Sequence, residues 1–155
     1  MLNYLELLKH NSIVGNIIYK NIKRCNTFNK NDIWQVCWEE NNVFDCENIK
    51  FTQKNCHVEI KNLMPSIHNG LWISEFEYDN DCLRGTYHSI KQSQNKGSLF
   101  FNINSSMDEL FGRWIGRSNN GRNEVGFILI KKMQKNDENK LTNILKSYIR
   151  ESLND

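Results

Sequence analysis

From residue 31 to residue 133 the chain alternates short apolar segments with turn-forming residues, and this pattern most constrains the fold. Eight strand-like segments follow one another, and only short turn-rich links separate them. Short links favour antiparallel pairing of consecutive strands, and eight such strands are the count of a small up-and-down barrel. We therefore predict a mainly β protein, an eight-stranded antiparallel up-and-down barrel or strongly coiled sheet. The predicted strands are 33–38, 43–52, 56–63, 71–78, 82–91, 98–104, 110–117 and 124–133.

Local patterns refine this prediction for the first hairpin. Trp34, Val36 and Trp38 alternate along the first strand, so they share one face. Asn41-Asn42 is a candidate tight turn, because asparagine tolerates positive φ. The polar segment Asp45–Asn48 is expected to interrupt the second strand.

Helical patterns flank the predicted barrel, and we expect a single domain over residues 1–155. Residues 1–24 carry apolar residues at helical spacing, which indicates a packed helical segment or a DNA-reading helix-turn-helix. Residues 136–153 carry a second apolar stripe behind acidic, capping residues. This C-terminal helix could pack on the barrel, close it as a lid, or form a homo-oligomer contact.

Composition limits the class of protein. The chain has 39% hydrophobic and 25% charged residues and a net charge of +2, which is typical of a soluble globular domain. It has no apolar run of about 18 residues and no recognisable leader, so we expect a cytoplasmic protein without membrane contact. Its five cysteines lack the close spacing of zinc sites, so we expect reduced thiols, no metal and no cofactor.

Catalytic motifs are absent from the sequence, which has no glycine-rich phosphate loop, metalloprotease motif or nucleophile elbow. His57 and Glu59 share a strand face and could transfer a proton, but an ordinary surface pair is favoured. We therefore do not expect an enzyme.

A glycine–aromatic motif occurs twice, in Leu83–Tyr87 and Leu110–Trp114. In a strand its leucine, glycine and aromatic residue point to one face. A glycine weakens a strand, so its presence needs a reason. Either the sheet curves strongly here, or the glycine leaves space for a ligand or a neighbouring ring.

These motifs resemble the strands of avidin-like barrels, which belong with the lipocalins to the calycin group. The resemblance covers roughly residues 70–133 and implies that Tyr87 and Ser89 face a ligand and that Phe127 is a pocket residue. Avidins have an additional strand before the Leu-x-Gly-Thr-Tyr segment, so biotin binding is not implied. The segments that carry the resemblance are Gly70–Trp72, Leu83–Ser89, Leu110–Trp114 and Val125–Phe127.

The strand pattern also resembles, more loosely, the small barrel sensors of bacterial anti-phage effectors that respond to cyclic oligonucleotides. This resemblance implies a stand-alone sensor or sponge for such a ligand. Charge is consistent with an anionic ligand, because residues 84–135 carry nine basic against three acidic residues. Arg113 next to Trp114 could bind phosphate beside a stacked base, unless Trp114 points inward and Arg113 outward.

The sequence thus predicts a small-molecule binding module, with an anionic, nucleotide-like ligand such as a cyclic oligonucleotide. The alternative is a nucleic-acid or protein interaction module, such as a regulator, inhibitor or immunity protein, that acts through its surface. A barrel fully packed with aromatic side chains would favour this alternative. The predicted ligand-binding residues are Trp72, Ser74, Tyr87, Ser89, Arg113, Trp114 and Phe127.

Overall fold

Eight antiparallel strands close into a barrel, as the sequence predicts. The computed structural model describes residues 27–63, 70–79, 81–117, 121–134 and 137–154, and the helical segment predicted at 1–24 lies outside them. Each strand pairs with its neighbours in sequence, and the first strand also pairs with the last. The elements are β1 (Ile33–Glu40), β2 (Val43–Lys54), β3 (His57–Asn62), β4 (Trp72–Asp79), β5 (Cys82–Ser89), β6 (Lys96–Ile103), β7 (Glu109–Arg117), β8 (Asn123–Met133) and α1 (Glu138–Asn154).

The first hairpin confirms two predictions and corrects a third. Trp34, Val36 and Trp38 all pack in the barrel interior, and the turn places Asn41 and Asn42 at φ 53° and 65°. However, β2 runs unbroken through the polar segment that was expected to interrupt it. A buried carboxyl in this segment, on Glu47, accepts hydrogen bonds from side chains of other strands, which offsets the cost of burying it.

Aromatic rings fill one end of the barrel, which we call the plugged end. Phe28 precedes β1, and its ring stacks on Phe51 with centroids 4.7 Å apart. The rings of Trp34 and Tyr78 also pack against Phe28. The centroid of the Trp34 ring lies 5.8 Å from that of Phe28 in an edge-on contact, and the centroid of the Tyr78 ring lies 6.3 Å from that of Phe28. Access to the interior is therefore left to the opposite end.

The glycines of the repeated motif lie where neighbouring strands come unusually close. A Cβ atom on Gly85 would lie 1.9 Å from the carbonyl oxygen of Glu75, and one on Gly112 would lie 1.7 Å from that of Phe100. On Gly126 a Cβ would meet the Trp114 indole at 2.5 Å. Strong curvature and space for a ring, the two expected reasons, thus both apply.

Helix α1 packs on the outside of the barrel. Leu141 and Leu145 are completely buried, and they contact outward residues such as Cys37 and Leu129. The Tyr148 hydroxyl donates a hydrogen bond to Glu109, which also pairs with Lys131. The packed-helix interpretation is confirmed, whereas a homo-oligomer through this helix stays a prediction.

The cysteines depart from the expectation of five reduced thiols. Cys37, Cys46 and Cys82 are free, but Cys56 is disulfide-bonded, so the expectation is wrong at that position. Spacing along the chain could not reveal this, because a disulfide depends on which side chains meet after folding. A disulfide is uncommon in a reducing compartment, so it lends no support to the cytoplasmic location expected from the sequence.

We predict that Gly85→Ala destabilises the protein by roughly 1–3 kcal/mol or more, because its methyl group would overlap backbone that cannot move aside cheaply. Thr86→Ala is the matched control, since Thr86 is the next residue of β5 and is exposed. It should change stability by no more than about 0.5 kcal/mol. Urea unfolding followed by tryptophan fluorescence measures both effects. Equal stability of the two variants would contradict the close approach.

Candidate functional site

A cavity of about 90 Å³ lies inside the barrel at the end opposite Phe28 and is partly open to solvent. We call this end the open end. It carries the Asn41–Asn42 turn and the loop between β5 and β6. Aromatic and aliphatic side chains dominate its walls, with a few polar groups among them. The lining residues are Val36, Trp38, Glu40, Trp72, Ser74, Tyr87, Asn95, Leu99, Trp114 and Ile128.

Hydrogen bonds hold two of the aromatic walls in place. The indole Nε1 of Trp72 donates to the Glu47 carboxyl at 2.7 Å, and that of Trp114 donates to the backbone oxygen of Glu39 at 3.0 Å. The backbone N–H of Trp72 also donates to the Asn62 side chain at 3.0 Å. Both indole N–H groups are thus occupied, and the carbon surfaces of the rings remain for a ligand.

Tyr87 forms a third wall because two glycines let its ring lie close to the sheet. A Cβ on Gly97 would come within 2.7 Å of its Cε1, and one on Gly116 within 2.3 Å of its hydroxyl oxygen. The ring meets that of Trp114 edge-on, with centroids 6.5 Å apart. Burial, aided by nearby carboxyl groups, raises the pKa of Tyr87 to about 12, so its hydroxyl stays neutral at physiological pH.

Two acidic side chains meet at the same end. Glu40 lines the cavity, and its carboxyl interacts with that of Glu124 on β8. Burial raises the pKa of Glu40 to about 7, and its interaction with Glu124 and the charges of Asp45 and Glu39 act in the same direction. Around neutral pH the pair therefore holds one proton that is easily lost.

Ser74 presents an unsatisfied polar group to the cavity. Its side chain lies on β4 and is only 1% exposed, and its hydroxyl has no hydrogen-bond partner. A buried hydroxyl without a partner costs about 1–3 kcal/mol. A ligand with a polar atom in this position would remove that cost.

Four of the seven predicted residues meet at the cavity: Trp72, Ser74, Tyr87 and Trp114. Ser89 is also buried, but its hydroxyl accepts a hydrogen bond from the Gln92 backbone at 3.2 Å, and it is not part of the cavity lining.

The assignments of Arg113 and Phe127 to the pocket need correction. The two lie on the outer face, where the Arg113 guanidinium sits 4.0 Å from the Phe127 ring centroid. The reason is the alternation of strands, because their neighbours Trp114 and Ile128 point inward. Trp114 therefore points inward and Arg113 outward, which is the second of the two arrangements considered from the sequence.

Sequence reasoning missed the acidic part of the site. Glu40 continues the inward series of Trp34, Val36 and Trp38, so alternation alone could have found it. Glu124 continues the inward series of Ile128 and Ile130 on β8, but its approach to Glu40 depends on the register of β8 across the closed barrel. His57, the proton-transfer candidate, instead pairs with Glu77 on the neighbouring strand, with 3.0 Å between Nδ1 and Oε1.

The chain matches no protein-family model, no curated protein and no solved structure. The closed eight-stranded barrel is compatible with a calycin-like architecture. In the described part of the chain, no helix has the length and apolar character needed to cross a membrane. Among these same residues, no group of three or more His, Cys, Asp or Glu side chains could hold a metal ion.

We predict that Glu40→Gln stabilises the protein above neutral pH and has little effect in acid. The pKa of Glu40 rises from an ordinary 4.5 to about 7 on folding. As pH rises between these values, the unfolded chain releases its proton first, so the free energy of unfolding falls. Gln cannot ionise and avoids this loss. Because Glu40 is partly exposed, we discount the gain for solvent screening to about 1 kcal/mol.

Urea unfolding at about pH 5 and about pH 8 tests this window. Glu75→Gln is the matched control, because Glu75 is an exposed carboxyl on β4 and lies outside the cavity lining. The difference between Glu40→Gln and the parent should grow with pH, whereas the control should follow the parent. Parallel pH curves for all three proteins would refute the raised pKa.

Proposed function

We propose that this protein is a small-molecule binding module whose site is the cavity at the open end of the barrel. The observation that carries the proposal is a partly open, aromatic-walled cavity with an unpartnered buried hydroxyl, on Ser74, in an otherwise filled barrel. Ligand pockets commonly combine apolar walls with a few convergent polar groups. Native interiors leave few buried polar groups unsatisfied, so an unpartnered hydroxyl on a cavity wall calls for an explanation.

Size limits what the cavity can hold. At about 90 Å³ it offers the space of roughly three liquid water molecules, and it is smaller than the ~150 Å³ cavity that accepts benzene. It therefore suits a small headgroup or the edge of one ring. The rest of a larger ligand would extend through the open end.

A nucleotide-like ligand, including the cyclic oligonucleotide suggested by the looser resemblance, remains one candidate within this proposal. Tyr87 and Trp114 offer ring surface for a base. The carboxyls of Glu40 and Glu124 oppose a phosphate inside the cavity, so the phosphates would stay outside. A sensor or sponge in a bacterial or phage defence system is the corresponding biological role.

A surface interaction module is the second candidate, and one outer patch favours it. Ile115 and Val125 are cross-strand partners, and they are 60% and 58% exposed. Arg113 lies on the same outer face of β7. Exposed apolar side chains beside a cation fit an acidic protein or nucleic acid. Binding through phosphates would weaken steeply with added salt, whereas binding in the cavity would respond less.

A thermal-shift screen tests the leading proposal. The panel contains cyclic di- and trinucleotides, linear nucleotides, biotin-like cofactors, fatty acids, small amines and small neutral alcohols. A compound at about 100 times its dissociation constant adds about 2.7 kcal/mol of stability, which raises Tm by several degrees. We expect at least one class to do so.

Ser74→Val identifies the site of any shift, because it removes the unpartnered hydroxyl and adds bulk to the cavity wall. Ser98→Val is its matched control, since Ser98 is an exposed serine on β6 and lies outside the cavity lining. The shift should be lost in the first variant and kept in the second. If no compound raises Tm, or if a Tm shift is kept in Ser74→Val, the cavity is not the ligand site. The surface interaction module would then be the favoured function.

A further inference from the structure

We infer that the cavity recognises a methylated ammonium group, which its aromatic walls surround and the Glu40–Glu124 carboxyls neutralise. The inference rests on the proposed function and names the ligand class of that site. It reverses the ligand charge expected from the sequence, because the basic residue assigned to the pocket, Arg113, lies outside, while Glu40 lines the cavity and interacts with Glu124.

The aromatic walls are the first support. The faces of tryptophan and tyrosine rings carry negative charge density and attract cations within about 6 Å of the ring centroid. Three indoles and one phenol line this cavity. Since the Nε1 groups of Trp72 and Trp114 already donate to protein oxygens, these indoles meet a ligand with their ring carbons rather than with a hydrogen-bond donor. Methylated ammonium groups suit such walls because a fully methylated nitrogen needs no hydrogen bonds.

The carboxyl groups are the second support. Glu40 lines the cavity and its carboxyl interacts with that of Glu124 on β8. Asp45, across from Trp38 in the register of β1 and β2, adds a further negative charge. Two carboxyls in contact repel each other unless a proton or another cation lies between or beside them. The negative charge of Glu40 beside the cavity attracts a cationic ligand and repels an anionic one.

Ser74 is an independent observation that points to a ligand. Its buried hydroxyl has no partner and lines the same cavity, on β4 rather than on the strands of the carboxyl pair. A quaternary nitrogen cannot bond to it. The ligand should therefore carry a second polar atom near the cation, such as the hydroxyl of choline or a carbonyl oxygen.

Cavity size agrees with this assignment. The cavity of about 90 Å³ is too small for a nucleobase with its sugar, and because it is partly open a methylated ammonium group can enter it in part while the rest of the ligand stays outside. Two sources of the headgroup share this chemistry: a free small molecule such as choline, and a methylated lysine side chain on another protein. The partly open geometry admits both.

The charge arrangement makes binding depend on pH. The groups that act on Glu40 are Glu124 on β8, Asp45 on β2 and Glu39 on β1. Tyr87 faces it from β5 and stays neutral. A bound cation displaces the proton that the carboxyl pair retains near neutral pH, so affinity should rise with pH. Release of one proton gives about a tenfold increase in affinity between about pH 6 and about pH 8.

Calorimetric titration with choline tests the inference, and the matched probe is the isostere in which a quaternary carbon replaces the nitrogen. The two molecules share shape and differ in charge. We expect choline to bind at least about tenfold more tightly, which corresponds to about 1.4 kcal/mol. Choline affinity should rise with pH, and affinity for the isostere should not. Trimethyllysine, blocked at both ends, is the third probe and distinguishes a free ligand from a protein side chain.

Two variants separate charge from folding. Glu40→Gln keeps the shape of the wall and should lower choline affinity about tenfold, remove its pH dependence and leave the isostere unaffected. Glu75→Gln removes an exposed carboxyl outside the cavity lining and should bind choline as the parent does. Tm values for each protein confirm folding.

The outcomes also separate this inference from the proposed function. Tighter binding of choline than of trimethyllysine supports a free small-molecule ligand, and the reverse order supports a methylated protein partner. Equal affinity for choline and its isostere, or unchanged choline binding by Glu40→Gln, overturns the ammonium assignment and leaves the cavity as a binding site. If none of the probes binds while another compound raises Tm in a manner sensitive to Ser74→Val, only the ligand class fails.

Discussion

The structure depends on close contacts between aromatic rings and glycines of neighbouring strands. In a closed barrel of eight strands the interior is narrow, and a facing glycine leaves space for a large ring close to the sheet. Gly116 provides that space for Tyr87, and Gly126 provides it for Trp114. The same contacts hold the rings near the wall, so the open end keeps a cavity that the plugged end, filled around Phe28, does not have.

Around this apolar frame the open end carries polar groups that lower the stability of the free protein. The hydroxyl of Ser74 lacks a partner, and the contact between Glu40 and Glu124 holds a proton that is lost near neutral pH. At the plugged end the indole Nε1 of Trp34 is also buried without a partner, whereas the buried carboxyl of Glu47 accepts hydrogen bonds from Trp72 and Asn62. The Ser74 hydroxyl differs from the Trp34 indole because it lines a cavity that is open to solvent, which is typical of a site that is completed by a ligand.

Much of the fold could be predicted from the sequence, because alternation and turn residues are local signals. The strands, the Asn41-Asn42 turn and the inward face of β1 follow from them. The site was harder to predict. The glycine–aromatic motif correctly predicted Tyr87 and Trp114 as cavity residues. The excess of basic residues predicted Arg113 as well, but the alternation of side chains along β7 places Arg113 on the outer face of the barrel. The approach of Glu124 to Glu40 and the disulfide of Cys56 depend on which side chains meet after folding, which no local pattern reports.

The central claim, that the open end binds a methylated ammonium group, is tested most directly by the indole N–H signals of the four tryptophans in a two-dimensional NMR spectrum during choline titration. Trp38, Trp72 and Trp114 line the cavity, whereas Trp34 packs at the plugged end against Phe28 and serves as an internal control. Saturable shifts of the first three signals, with that of Trp34 unchanged, are the predicted result. No shifts at saturating choline, or equal shifts of all four signals, would contradict the account.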